Sequence, residues 1–215
     1  MKYQILQDQT LNREGTTLYR IQVLKDFKNV KKGDLGGWIE KEENLDQEGK
    51  CWVYEDGKVY GDARVSEDAW VSGNAYVYGN ARVFDNAWIF GNARVSGNAD
   101  VFDNARVYGN ARVSGYARVS VYASVYENAK VSGNACVSEN AWVSGNAKVS
   151  GDAFVYGNAD VFGNAKISDN AWVYEDASVS GDANIGYNTE ISGYTRINST
   201  SVLELMQQRM RYETI

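Results

Sequence analysis

An aliphatic residue falls at every sixth position of this chain, from Val53 through Val59, Val65 and Val71 to Ile185, Ile191 and Ile197, without a slip. Two positions ahead of each sits a small residue: Ala63, Ala69, Ala75 and their successors, extended backwards by Gly57 and Cys51 and forwards by Thr189 and Thr195. The unit reads A-x-V-y-G-N, with Ser, Tyr or Phe usually at y. Alternation within A-x-V-y is the period of a short strand, with Ala and Val on one side and x and y on the other. The G-N, D-N, E-N or G-D that follows is a turn signal, because Gly, Asn and Asp accept the left-handed backbone a tight corner needs. Strand and corner alternate with no helix between them, so the chain must coil. Three hexads make a triangular turn and set each strand beside the one eighteen residues later, at about 4.8 Å. The pattern predicts an all-β, single-stranded triangular β-helix, a β-solenoid, of roughly eight coils and about 38 Å. A helix bundle or an immunoglobulin-like sandwich needs another period.

Segments such as V-S-G-N-A and I-F-G-N-A resemble the hexapeptide repeat of left-handed β-helix proteins, whose aliphatic and small positions match Val and Ala here. The resemblance covers about two thirds of the chain, and it implies a left-handed coil, which periodicity alone does not. Upstream, "GDLGGWIE", Gly33 to Glu40, followed by the G-N-A array, is similar to uncharacterised bacterial and prophage β-solenoid proteins of the YdcK-like kind. That likeness implies a bacterial or phage-infected cell and an accessory role, and it carries no activity to transfer.

Open solenoid ends expose unpaired strands and an apolar bore, so the flanks should differ from the repeat. Residues 1–50 hold the strand-like runs "YQIL" and "TLYRIQVL", the loop "KKGDLGG" and the apolar pair Trp38 and Ile39. They read as a small β-rich cap with that pair seated on the first turn. A phosphate-binding loop at Gly33 to Gly37 lacks the glycine spacing. Residues 51–198 form the array. Residues 199–215 begin with an S-x-x-E capping box, Ser201 and Glu204, followed by Val202, Leu203, Met206 and Met210 at helical spacing. This predicts a short C-terminal helix, lying either over the last coil or against a partner chain.

Composition narrows the chemistry. With 44% hydrophobic residues the chain is no disordered tail, and no apolar run is long enough to span a membrane. No secretion signal opens it, so the expected compartment is the cytoplasm. A net charge of −6 gives no general attraction to nucleic acid. Cys51 falls inward and Cys136 outward, so no disulfide is expected. Histidine is absent, which removes the imidazole base, the Ser-His and Cys-His pairs and His-ligated zinc. No cofactor or metal site is expected.

Sorting outward positions by eighteen separates three faces. One stacks Lys58, Tyr76, Arg94, Arg112, Lys130, Lys148 and Lys166 beside Ser96, Ser114, Ser132, Ser150 and Ser168. It is either a solvated face or a site for an anionic polymer or protein surface. The next carries Trp52, Tyr54, Trp70, Trp88, Phe90, Tyr108, Tyr126, Trp142 and Phe162, a strip that suggests self-association into a trimer or dimer, or else stacking that stiffens the coil. The third is mixed: Arg64, Arg82, Asp100, Arg118, Phe154 and Trp172. One corner is acidic, with Glu67, Asp85, Asp103, Glu139 and Glu175, interrupted by Val121 and Gly157, and reads as a solvated edge or a partner for a neighbour's basic column. The irregular "GYARVSVYASVYEN" is where a bend or contact is expected. Hexapeptide acyltransferases use an active-site histidine and a protruding loop, and this array has neither. The expectation is therefore a non-catalytic structural or interaction protein, associating with itself or with a host protein. The alternative is a binding module that uses the Lys/Arg–Ser face.

Overall fold

The inward series explains the architecture directly: in the computed structural model, which describes residues 1–199, the Val or Ile at every sixth position from Val53 to Ile197 is buried. The alanines from Ala63 to Ala183 are buried with them. Each hexad contributes one two-residue strand, beginning with β4 (Trp52–Val53), β5 (Lys58–Val59) and β6 (Arg64–Val65) and ending at Arg196–Ile197. Strands eighteen residues apart pair in parallel, Trp88 with Arg106 and Ile89 with Val107 in one instance. The result is three sheets of eleven, nine and eight strands, parallel throughout the array, the eleven including the antiparallel cap strands. The nine-stranded sheet counts nine rungs, one coil more than the roughly eight read from the period.

Backbone groups are satisfied between coils. The Trp52 N–H donates to the Ala69 carbonyl (3.1 Å) and the Tyr54 N–H to the Val71 carbonyl (2.8 Å), and this spacing of seventeen recurs along the array. Corners join in: the Asn74 N–H donates to the Gly91 carbonyl at 2.7 Å. One coil alone would leave these groups to water and its valines half covered, so stability is gained by stacking.

The N-terminal cap is a hairpin of β1 (Tyr3–Arg13) and β2 (Thr16–Val23), extended by β3 (Leu35–Ile39). β3 lies antiparallel to β2 and parallel to β5, so it joins the cap to the basic face without a gap. Ile39 enters the core, while Trp38 stays half-buried under the Arg20 guanidinium. The double glycine of "GDLGG" now has a reason: a Cβ at Gly36 would collide with the Trp52 ring, and one at Gly37 would stand 2.5 Å from the Gly57 carbonyl oxygen. Trp52 is sealed by Tyr3 (centroids 5.9 Å) and Phe27 (5.5 Å). Asn44, fully buried, ties the cap to the first coil by donating to the Gly61 and Ala63 carbonyls. Beside it the buried Lys2 ammonium donates to the Glu48 carbonyl and to Cys51 Sγ (3.1 Å). Cys51 and Cys136 are both free thiols.

The capping box and helix expected near the C-terminus lie outside the described residues. No helix among the described residues is long and apolar enough to cross a membrane.

Candidate interaction faces

The eleven-stranded sheet carries the basic column in the expected register, with Arg94 opposite Arg112, Arg112 opposite Lys130, Lys130 opposite Lys148 and Lys148 opposite Lys166. All five are exposed, and none forms an ion pair among the described residues. Lys58 does not belong with them. The cap hairpin covers it to 8% exposure, its ammonium donates to the Asp56 carbonyl, and burial together with Arg13 and Arg20 lowers its pKa. Tyr76 closes this end of the column, its ring approached by Arg13, Lys58 and Arg94. The open ladder thus begins at Arg94.

The aromatic face is less continuous than the sequence suggests. Trp52 is buried under the cap, and Trp70 is half-buried with the Lys28 ammonium 4.7 Å from its ring. Trp70 stacks on Trp88 at 5.2 Å with the rings 1° from parallel. Phe90, Tyr108 and Tyr126 form a second stack at 4.7 and 5.0 Å, and Trp142 meets Tyr126 edge-on. Trp88, Trp142 and Phe162 are the exposed members, but Arg106 and Ser124 stand between Trp88 and Trp142, and Arg106 lies over the Trp88 ring. The stacking is intramolecular, of the kind that stiffens neighbouring strands. It is not confined to this face. Tyr60 stacks on Tyr78, Phe84 on Phe102 and Tyr156 on Tyr174 on the other two. The sequence carried that signal at position y every eighteen residues on these faces too, and the aromatic reading was drawn for one face only.

The third face is dominated by a two-point ion pair, with Arg82 Nε and Nη2 donating to the two Asp100 oxygens at 2.8 and 2.6 Å. Beside it, an open groove of about 700 Å³ runs along the turn Glu42–Asn44. Glu42, Glu43, Asp46, Arg64, Glu67 and Arg82 are among its lining residues.

The acidic corner is a working part of the backbone. Glu67, Asp85, Asp103, Glu139 and Glu175 all occupy the left-handed region, with φ from 56° to 59°. Asp85 accepts the Asp103 N–H, Asp103 the Val121 N–H and Glu175 the Gly193 N–H, each carboxylate capping the same corner one coil on. Glu55, Glu127 and Asp169 do likewise at the other corners. Stacking has an electrostatic cost as well: a hydrogen bond to the Asp85 carboxylate, with desolvation and that group's negative charge, holds the Glu67 carboxyl above the usual range.

The irregular segment produces no break. Tyr116 and Tyr122 are exposed, and the ladders run through in register from Arg106 to Ser124 and from Arg112 to Lys130. Its cost is local. Val121 holds φ 62° where its peers are Asp, Glu or Gly, a conformation disfavoured for a β-branched residue.

Residues 58–73, 75–89 and 105–120 match the family described as YdcK Beta solenoid repeat. Those three stretches are similar to YdcK-type solenoid repeats. Over 73 residues it is 36% identical to the Escherichia coli (strain K12) protein named "Uncharacterized acetyltransferase YdcK". That stretch is 30% of this chain and 22% of the relative, so the match spans about a fifth of the relative's length. The name corrects the expectation that this chain is no enzyme. Missing histidine closes imidazole chemistry alone, and carboxylates and lysines also serve as general bases.

Val121→Gly is expected to raise the melting temperature, because relief of left-handed strain of about 1–2 kcal/mol outweighs the added unfolded-state entropy of glycine, roughly 0.5–1 kcal/mol. Thermal unfolding followed by circular dichroism checks this, and a lower melting temperature would show that Val121 is unstrained.

Proposed function

We propose that this chain is an interaction scaffold whose Arg/Lys–Ser face captures an anionic partner. The observation that carries this reading is the run Arg94, Arg112, Lys130, Lys148 and Lys166, five cations on successive rungs with no carboxylate partner among the described residues. Neighbours at about 4.8 Å repel by roughly 1 kcal/mol per pair in water, a cost that an anionic partner offsets. The half-buried Ser96, Ser114, Ser132 and Ser150 beside them add hydroxyl donors without bulk. A rigid sheet also holds these heads at fixed spacing, which lowers the entropic cost of binding.

Binding of a labelled poly-glutamate tracer, followed by fluorescence anisotropy at low salt, tests the face. The native chain is expected to bind, with an affinity that falls as salt rises. The variant Arg94→Ser/Arg112→Ser/Lys130→Ser/Lys148→Ser is expected to lose at least tenfold. Equal binding by both proteins, or none by either, would refute the assignment.

A second reading, acyl-group transfer, is supported by the name of the E. coli relative. The groove beside the cap is where we place it: it has the size of a small-ligand site, with Arg64 and Arg82 for a phosphorylated donor and Glu67, its carboxyl raised, for proton transfer. Consumption of an acetyl thioester above the uncatalysed rate, lowered at least tenfold by Glu67→Gln, is the expected result. No excess rate with any amine or hydroxyl acceptor would remove this reading.

A further inference from the structure

The basic face selects among anionic partners by spacing. Its cations recur once per coil, at the interval that stacks the rings of this array 4.7 to 5.2 Å apart. An extended acidic peptide presents one side chain per face only every ~6.8 Å, and a nucleic-acid strand one phosphate every ~3.4 Å, so either slips out of step within a few rungs. A stack of parallel strands keeps step for its whole length. This chain carries such a column of anions in Glu67, Asp85, Asp103, Glu139 and Glu175, with Val121 and Gly157 on the two intervening rungs, exposed or half-buried at one corner and without an ion pair among the described residues. We propose that the basic face docks the acidic corner of a second copy of this chain, side by side with the axes parallel.

A slide of about one and a half coils sets Glu67, Asp85, Asp103 and Glu139 of one copy level with Arg94, Arg112, Lys130 and Lys166 of the next, and Lys148 falls opposite Val121. Each step along both columns is the same eighteen residues, so one correct contact aligns the others. Repulsion within each column is relieved by the other. Glu67, whose carboxyl is already held up by Asp85, gains most from a nearby guanidinium.

Topology decides the kind of assembly. The chain runs from the aromatic face round a corner to the basic face, round the next to the mixed face, and over the acidic corner back to the aromatic face. The acidic corner is therefore the vertex opposite the basic face, and two copies cannot satisfy both contacts with each other. The contact is head-to-tail across the triangle, and it builds an open row.

This inference rests on the basic face being a docking surface, and the experiment separates the two. Mass in solution is measured by light scattering at tens of micromolar for the native chain, for a face variant (Arg112→Ser/Lys130→Ser) and for a corner variant (Glu67→Gln/Asp85→Asn/Glu139→Gln). The amides keep an acceptor oxygen at the corner, and circular dichroism confirms that each variant folds. The native mass should grow with concentration and return to that of a monomer at about 0.5 M salt, where screening acts within roughly 4 Å. Each variant alone should stay monomeric. Their equimolar mixture should give a dimer that grows no further, because one retains only the corner and the other only the face. A monomeric native chain, a monomeric mixture, or an assembly that ignores both variants and dissolves with Trp88→Ser/Trp142→Ser would overturn the proposal. A native monomer that still binds poly-glutamate through Arg112 and Lys130 would leave the basic-face reading standing and remove only the second copy as its occupant.

Discussion

The hydrogen bond from each coil to the next is the constraint on which everything else in this molecule depends. It runs from residue i to the carbonyl seventeen positions on, as from Trp88 to Ala105 and from Phe90 to Val107. Once that bond is fixed, every residue lies beside the one eighteen later, and a side chain can only be placed well or badly relative to its own column. Val and Ala stack in the bore because parallel strands buried on one face want small or β-branched residues that interdigitate. The single-residue regularity of the sequence follows from this, since a slip of one would turn the whole inner set outward.

Columns amplify chemistry in both directions. Amides gain: Asn92, Asn110, Asn128, Asn146 and Asn164 each donate to the next amide oxygen, and the run ends on the Asp182 carboxylate. Asn140 and Asn158 likewise run into Asp176. A carboxylate accepts without donating, so it terminates such a ladder. Aromatic rings gain as well, held nearly parallel by the strand spacing. Charges of one sign lose. The cations from Arg94 to Lys166 and the acids of the opposite vertex are two columns in which like charges stack although the fold offers the same rungs to neutral residues. Placed on opposite sides of the triangle, they are poorly disposed to neutralise each other within one molecule and well disposed to do so between two.

Much of this was legible in the sequence because period and alternation are properties of neighbours along one coil and its successor. The inner columns, the corners, the basic register and the cap strands could be read from spacing. What spacing could not show is coverage. Lys58 and Trp52 sit at outward positions of the first coil, and only the folded hairpin reveals that Arg13, Arg20, Tyr3 and Phe27 enclose them. The capping role of Asp85 and Asp103 was hidden for another reason, since a carboxylate at a left-handed corner looks like a solvated edge until the N–H one coil away is in place. Val121 shows the converse. The pattern break predicted a bend or a contact, whereas the neighbouring hydrogen bonds across coils hold the register without a bend and confine the cost to one residue. The exclusion of catalysis failed because composition constrains which chemistry is available and leaves open whether a groove uses it.

If stacking between coils supplies the stability, protection should vary along the axis. The direct measurement is residue-resolved amide hydrogen exchange of the native chain. The account predicts the slowest exchange for central rungs, such as the Arg106 and Ser124 N–H groups, and progressively faster exchange through Asp160 to Ser178, because the last coils have a neighbour on one side fewer. Uniform protection from Trp70 to Ser178, as in a single all-or-none unit, would contradict it.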